Sequence, residues 1–129
     1  MLTLGPAHVE KVWGWEEILV NTAFYCLKRI FIKPMHCTSI QIHRIKDETL
    51  FPQTVQAPLL LRLFTDDEKP RLTQQISLNV GEGFRVSPDV IHQLVNPDVA
   101  FTLCLLEVSS HHDDTDVIRP CGLGGKYEA

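Results

Sequence analysis

The sequence lacks any long hydrophobic run. No apolar stretch approaches a length of about 20 residues, which a membrane-spanning helix needs. Residues 1–10 also lack the basic segment followed by an apolar stretch that marks a secretory signal. We therefore expect a cytoplasmic protein that has no membrane partner.

Positive charge and cysteine motifs are also scarce. The chain carries 12 Lys and Arg against 16 Asp and Glu, a formal net charge of −4, whereas nucleic-acid binding needs a basic face for the phosphates. The four cysteines, at positions 26, 37, 104 and 121, show no CxxC spacing. We expect no nucleic-acid partner, and we expect reduced thiols rather than a disulfide framework.

No segment has convincing helical periodicity, and no internal repeat or low-complexity block is present. Instead, short apolar segments alternate with turn residues, the pattern of an all-β sandwich or barrel. The predicted strands are 11–19, 24–32, 39–43, 48–55, 58–64, 73–79, 84–86, 91–95 and 101–108. The length of 129 residues fits one domain with a single core, and the glycine-rich end after Ser109 is expected to be flexible.

Two stretches of the sequence contain side chains that can bind a metal ion. Because residues i and i+2 of a strand share a face, Gln41 and His43 point the same way. The polar turn at residues 44–47 then allows Glu48 to begin a returning strand beside them. In the second stretch, 81–92, glycines, a short strand and a proline turn precede His92, which opens another strand.

These side chains predict a site for one divalent metal ion. An amide oxygen, a carboxylate and two imidazoles form a borderline ligand set, compatible with Zn, Mn, Fe, Co or Ni. Coordination positions left open would bind water or substrate. Each residue alone would more often be an ordinary surface or structural side chain. The prediction depends on the joint spacing of Gln41, His43, Glu48 and His92.

The two stretches resemble the paired motifs of the cupin superfamily, most closely the small domain of type II mannose-6-phosphate isomerases. The first motif is present as Gln41-x-His43-x4-Glu48, and the second ends as His92-x3-Asn96. Segments 12–16 and 107–119 are similar to the family's entry segment and closing strand, so the resemblance covers most of residues 11–119. It implies a single cupin domain, a double-stranded β-helix or jelly-roll barrel, with those four residues as metal ligands.

The resemblance also implies an activity, the isomerisation or epimerisation of a sugar or sugar phosphate at the metal. Cationic side chains would hold the phosphate, and the candidates are Arg44, Lys46, Arg85 and Arg119. The catalytic base is unknown, and His36 is a candidate by proximity only. The chain departs from the family at Met35, where glycine is usual, and at Lys126, where the type II isomerases have an arginine.

Two other functions stay open. The chain could be a non-catalytic cupin that binds a small carbohydrate, or a metal-dependent oxygenase, because cupins also host oxygen chemistry. Ketose formation from aldoses would identify the isomerase, and oxygen consumption with iron would reveal the oxygenase. We also expect a homodimer, since small cupin domains commonly pair and the strand at 58–64 or the N-terminal arm could supply an intermolecular sheet edge.

Overall fold

The computed structural model describes residues 6–65 and 68–128. Within them the chain is β-structure with one short 3₁₀ turn at Asp114–Asp116. No helix in the described part of the chain is long and apolar enough to cross a membrane. The strands are β1 (Ala7–Lys11), β2 (Gly14–Asn21), β3 (Cys26–Ile32), β4 (His36–Cys37), β5 (Ile42–His43), β6 (Glu48–Pro52), β7 (Leu59–Thr65), β8 (Arg71–Leu78), β9 (Phe84–Val86), β10 (Ile91–Asn96), β11 (Leu103–Ser109), β12 (Val117–Ile118) and β13 (Gly125–Lys126).

The strands form two main sheets. One has six strands in the order β1-β2-β3-β11-β6-β9, and the other has five in the order β13-β4-β10-β7-β8. A two-stranded ribbon, β12 with β5, completes the arrangement, and the strand pairs are antiparallel. Non-sequential neighbours such as β3 and β11 give a jelly-roll barrel. The all-β jelly-roll class predicted from the sequence is confirmed.

Alternating side chains from both sheets fill the interior. β3 and β11 bury every second residue, because successive side chains of a strand point to opposite faces. Full burial of an aliphatic side chain contributes about 1.5–3 kcal/mol, so this shared core holds the two sheets together. Its aliphatic members include Ile30, Ile32, Leu50, Leu59, Leu61, Leu94, Leu103 and Leu105.

The inward-facing positions become polar near one end of the barrel. Lys28 on β3 and Glu107 on β11 face each other in the strand register, and both are buried. On β6, Glu48 is also buried and is paired in register with Ser109. Strand alternation therefore directs charged side chains into the interior, next to the segment that carries the predicted metal motif.

The strand predicted at 39–43 is shorter in the structure. β5 contains only Ile42 and His43, while Gln41 forms an isolated bridge with His92. The Thr38 hydroxyl accepts a hydrogen bond from the Leu94 backbone N–H at 3.0 Å. A side chain that takes a backbone donor in this way competes with regular strand pairing, which accounts for the interrupted ladder.

The segment expected to supply a sheet edge lies inside a sheet. β7 pairs with β10 on one side and with β8 on the other. Its backbone hydrogen bonds are therefore used within the chain, and β8 is the outer strand of that sheet. The N-terminal arm forms β1, the outer strand of the six-stranded sheet.

The C-terminal segment, expected to be flexible, packs against the barrel. β13 pairs with β4, and the Tyr127 backbone N–H donates to the Met35 carbonyl at 2.8 Å. Met35 has a φ of 54°, so its turn adopts the left-handed conformation that glycine favours without having a glycine. Gly124 lies so close to the strand that a Cβ would clash with the Cys37 carbonyl oxygen.

Candidate metal centre

Three buried side chains from three strands converge on one point. His43 on β5, Glu48 at the start of β6 and His92 on β10 each offer a ligand atom, and these atoms lie within 4.8 Å of one another. The His92 Nε2 is 3.0 Å from a Glu48 carboxylate oxygen. The two imidazole rings have centroids 5.7 Å apart. This spacing is suitable for a single ion between the three groups.

The backbone of Gln41, the fourth predicted ligand, is hydrogen-bonded to the backbone of His92. The Gln41 N–H donates to the His92 carbonyl at 2.9 Å, and the His92 N–H donates to the Gln41 carbonyl at 3.1 Å. Gln41 also lines the cavity that His43 and Glu48 line. The four predicted ligands therefore lie around one end of the barrel interior.

A hydrogen bond fixes the orientation of the His92 ring. Its Nδ1 is 2.9 Å from the Val90 carbonyl oxygen, which only accepts, so Nδ1 carries the proton and donates. Burial would lower the pKa of His92, but the hydrogen bond and the charge of Glu48 raise it above its ordinary value, so Nε2 and the Glu48 carboxylate share a proton that a bound metal ion would displace. A histidine whose other nitrogen donates to a carbonyl is the usual arrangement for a metal ligand.

Asp116 holds the turn that connects His43 to Glu48. Its carboxylate accepts hydrogen bonds from the backbone N–H groups of Arg44, Ile45 and Lys46 at 3.0–3.1 Å. The same carboxylate is 4.0 Å from the His43 Nδ1. Asp116 thereby fixes the backbone between two candidate ligands and places a negative charge behind one of them.

Two buried polar atoms of the cluster have no hydrogen-bond partner, namely His43 Nδ1 and one carboxylate oxygen of Glu48. Burial, followed by the charges of Lys46 and His92, lowers the pKa of His43 to about 3, so its imidazole is neutral and has a free lone pair. Burial and the nearby Glu107 raise the pKa of Glu48. A cation held by the cluster would accept the lone pair of the neutral His43 imidazole and favour the ionised Glu48 carboxylate, so the donor set fits a divalent ion.

A lysine–carboxylate network surrounds the cluster. The Lys46 ammonium is 2.7 Å from Glu107 and 3.4 Å from Glu48, and Lys28 is 3.4 Å from Glu16. Burial would lower the pKa of Lys46, but Glu107 and Glu48 raise it above its ordinary value. Burial would raise the pKa of Glu107, but Lys46 and Lys28 hold it below its ordinary value. Both groups are therefore charged inside the barrel.

These groups face a cavity of about 260 Å³. Among the predicted phosphate-binding residues, Lys46 and Arg119 line it. The other two are engaged elsewhere, Arg44 with Asp89 at 3.0 Å and Arg85 with Asp47 at 2.8 Å, and neither lines this cavity.

His36 and Asn96 have structural partners. His36 lies on β4 with its Nδ1 2.8 Å from the Pro34 carbonyl and does not line the cavity. The buried Asn96 amide donates to the carbonyls of Ile32 and Phe101, each at 2.9 Å. The second motif therefore combines a candidate ligand, His92, with an amide that joins the ends of neighbouring strands.

Sequence reasoning missed two charged residues of the interior, Lys28 and Glu107. The signal available in the sequence was the position of each residue, which is in phase with the inward-facing apolar residues of its strand. Lys28 lies two residues from both Cys26 and Ile30, which face inward on β3, and Glu107 follows Leu103 and Leu105 in the inward register of β11. A charged residue in phase with buried neighbours points to an internal polar network.

No family model matches the sequence, and no curated protein matches it by sequence. Solved structures do match. The capsular polysaccharide assembling protein CapF from Staphylococcus aureus aligns with a TM-score of 0.73 and 11% identity, over 91% of this chain and 34% of that one. This chain thus spans about a third of the length of CapF.

Two further structures are similar. An RmlC-like cupin from Shewanella frigidimarina NCIMB 400 has a TM-score of 0.63 and 16% identity over 85% of this chain and 87% of that one. Oxalate oxidase in complex with the substrate analogue glycolate has a TM-score of 0.56 and 18% identity over 74% of this chain and 45% of that one. At such identities the likeness concerns the fold, and this chain has the cupin fold.

Proposed function

We propose that this chain binds one divalent metal ion and acts as an isomerase or epimerase of a sugar or sugar phosphate. The observation that carries the proposal is the convergence of His43, Glu48 and His92 beside a cavity with charged residues on its wall, inside a cupin barrel. Gln41 lines the same cavity and would supply the fourth ligand. Bound there, the ion would bind vicinal sugar oxygens and polarise the carbonyl.

The chain's own residues would bind and orient the sugar. The cavity of about 260 Å³ is close to the lower limit of small-molecule pockets, about 300 Å³, which suits a small polyol. The Lys46 ammonium, held between two carboxylates, would stabilise negative charge that develops on the sugar oxygens. Arg119 lines the cavity and would hold a phosphate group.

The carbohydrate class of the substrate has one further support. CapF, whose fold matches 91% of this chain, is a capsular polysaccharide assembling protein. A shared fold does not carry an activity with it, so the assignment to this chain depends on the chemistry of its own cavity. The ion pairs and the imidazole of His112 on the cavity wall offer hydrogen-bond partners to a hydroxyl-rich ligand.

The test is a turnover assay with metal-loaded protein. Zn, Mn, Fe, Co and Ni forms are incubated separately with free aldoses and aldose phosphates, and ketose or epimer formation is followed by NMR. We expect turnover that disappears in His43→Ala and continues in His36→Ala, whose ring lies outside the cavity. Conversion that is equal in the two variants would contradict the proposal.

The assay also separates the two alternatives. Saturable binding of a sugar without conversion would make the chain a carbohydrate-binding module. Oxygen consumption by the iron form, with no ketose, would make it an oxygenase.

A further inference from the structure

His112 lies at the cavity, apart from the candidate metal ligands. Its side chain is only 15% exposed and lines the cavity. The Nε2 is 2.9 Å from the Asp114 carboxylate. The Nδ1 is 3.4 Å from the Lys46 ammonium and 3.3 Å from the Lys28 ammonium. His112 is thus a histidine between one carboxylate and two ammonium groups.

These partners determine the position of the His112 proton. An ionised carboxylate only accepts and an ammonium only donates. Nε2 therefore carries the hydrogen and donates to Asp114, while the Nδ1 lone pair is available to Lys46. The Lys28 ammonium lies beside the ring, 3.3 Å from Nδ1 and 3.5 Å from Nε2. Burial and the two ammonium charges also lower the pKa of His112, which keeps the ring neutral. A neutral imidazole with its lone pair toward the cavity is suited to accept a proton.

The backbone of His112 is held firmly at this place. Its N–H donates to the Asn21 side-chain oxygen at 3.1 Å, and its carbonyl accepts from the Asn21 amide at 3.2 Å. These two bonds fasten the segment after β11 to the end of β2. The ring is thereby positioned from two sides, by Asn21 through the backbone and by Asp114 through Nε2.

Lys46 connects His112 to the candidate metal centre. Its ammonium is within 3.4 Å of both the His112 ring and the Glu48 carboxylate. The same ammonium is 2.7 Å from the Glu107 carboxylate, so it is anchored on the cavity wall beside the His112 ring. A cation fixed next to a base can stabilise negative charge that develops on the substrate.

We propose that His112 is the acid–base residue of this cavity, oriented by Asp114, and that Lys46 is its charge-stabilising neighbour. The inference rests on the proposed isomerase function. The sugar would displace the lysines from the Nδ1 lone pair, so that Nδ1 reaches the hydrogen on C2 of the aldose.

The proton transfer balances without a further reactant. His112 Nδ1 takes the C2 proton, the C–H electron pair forms a C1=C2 double bond, and the carbonyl pair moves to O1, giving an enediolate. The imidazolium then returns the proton to C1, while the O2 hydroxyl proton passes to O1 and a carbonyl forms at C2. His112 ends in its starting state.

The first test needs neither metal nor turnover. Long-range proton–nitrogen correlation spectra of metal-free protein report which ring nitrogen of each histidine is protonated, and His112→Gln identifies the His112 signal. We expect the Nε2–H tautomer at neutral pH, and a mixture of tautomers in Asp114→Ala. A His112 ring protonated at Nδ1 alone would overturn the proposal.

The second test measures turnover on an aldose that the wild-type protein converts. His112→Gln is expected to lower kcat/KM by about 10²–10⁴-fold with an unchanged metal content. The matched control is His111→Gln, because that ring contacts the Thr22 carbonyl at the surface and does not line the cavity; its rate should equal that of the wild type. Imidazole in solution should accelerate His112→Ala but not the wild type, an effect that a purely structural role would not produce.

The outcomes separate this inference from the proposed function. Equal turnover by His112→Gln and the wild type would contradict the acid–base role of His112 and would leave the proposed isomerase function unaffected. Failure of imidazole to rescue His112→Ala would likewise overturn the acid–base role. Absence of turnover by the wild type on every aldose would overturn both.

Discussion

Lys46 is the residue whose removal should disturb the barrel interior most. Its buried ammonium is the cation closest to Glu107, at 2.7 Å, and it also lies 3.4 Å from Glu48. Lys46→Met would leave two buried carboxylates without this cation. Breaking a buried ion pair from one side costs about 3–5 kcal/mol, and we expect a loss of that size in the free energy of unfolding, measured by urea denaturation of metal-free protein.

Two controls belong to this measurement. Lys33→Met, at an exposed position, should change stability by less than about 0.5 kcal/mol. The double variant Lys46→Met/Glu107→Leu should recover part of the loss because it removes one unpaired charge. A Lys46→Met protein as stable as the wild type would show that the ammonium does not hold the carboxylates together.

At the scale of elements, the 3₁₀ turn is coupled to the β5–β6 connection through Asp116. Asp116→Ala would release the backbone N–H groups of residues 44–46 and loosen the positions of His43 and Glu48. Loss of a partner that orients metal ligands weakens metal affinity about 10–100-fold. We expect a decrease in this range in Zn binding, measured by competition with a chromophoric chelator.

Asp113→Ala is the matched control for this change. Asp113 is the N-cap residue of the same 3₁₀ turn, and its carboxylate accepts from the Thr115 N–H at 2.9 Å at the exposed surface. Its removal should leave Zn affinity unchanged. If the Asp116→Ala and wild-type proteins bound Zn with equal affinity, the turn would not contribute to metal binding.

The pairing of β13 with β4 depends on the absence of a side chain at Gly124. In Gly124→Ala the new Cβ would clash with the backbone of Cys37 and Thr38, so the C-terminal segment should detach. The Cys37 thiol, which is 4.0 Å from the Lys126 carbonyl and buried, should then react faster with iodoacetamide, as measured by peptide mass spectrometry.

Gly125→Ala gives the comparison at the neighbouring residue, the first of β13. A Cβ at Gly125 would meet no atom within 4 Å, so Cys37 should stay as protected as in the wild type. If both variants or neither exposed Cys37, close packing at Gly124 would not be what holds the segment in place.

For the whole molecule, the homodimer stays a prediction, which sedimentation equilibrium tests. The strand at 58–64 cannot supply the edge, because β7 is paired on both sides. β1 remains an outer strand, so a dimer that uses the N-terminal arm should dissociate when residues 1–11 are removed. Dissociation constants that do not change on this truncation would exclude the arm as the interface.

The sequence predicted the fold class more completely than the details of the site, for physical reasons. Strand alternation and turn residues are local properties, so the all-β class and the grouping of Gln41, His43 and Glu48 could be predicted from them. His92 was added from the joint spacing and the resemblance to the paired cupin motifs. The burial of Lys46 could not be predicted, because the turn that carries it is fixed by Asp116, 70 residues later. The role of the C-terminal segment as a strand on β4 likewise depends on contacts between distant parts of the chain.

The most direct test of the account is the metal content of the purified protein. After dialysis against Zn, elemental analysis should find about one ion per chain in the wild type and in His36→Ala, and almost none in His92→Ala at an unchanged β-sheet circular dichroism spectrum. Removal of one of the convergent ligands abolishes the site if His43, Glu48 and His92 hold the ion together. A wild-type protein without metal, or a His92→Ala protein that keeps its full complement, would contradict the central claim.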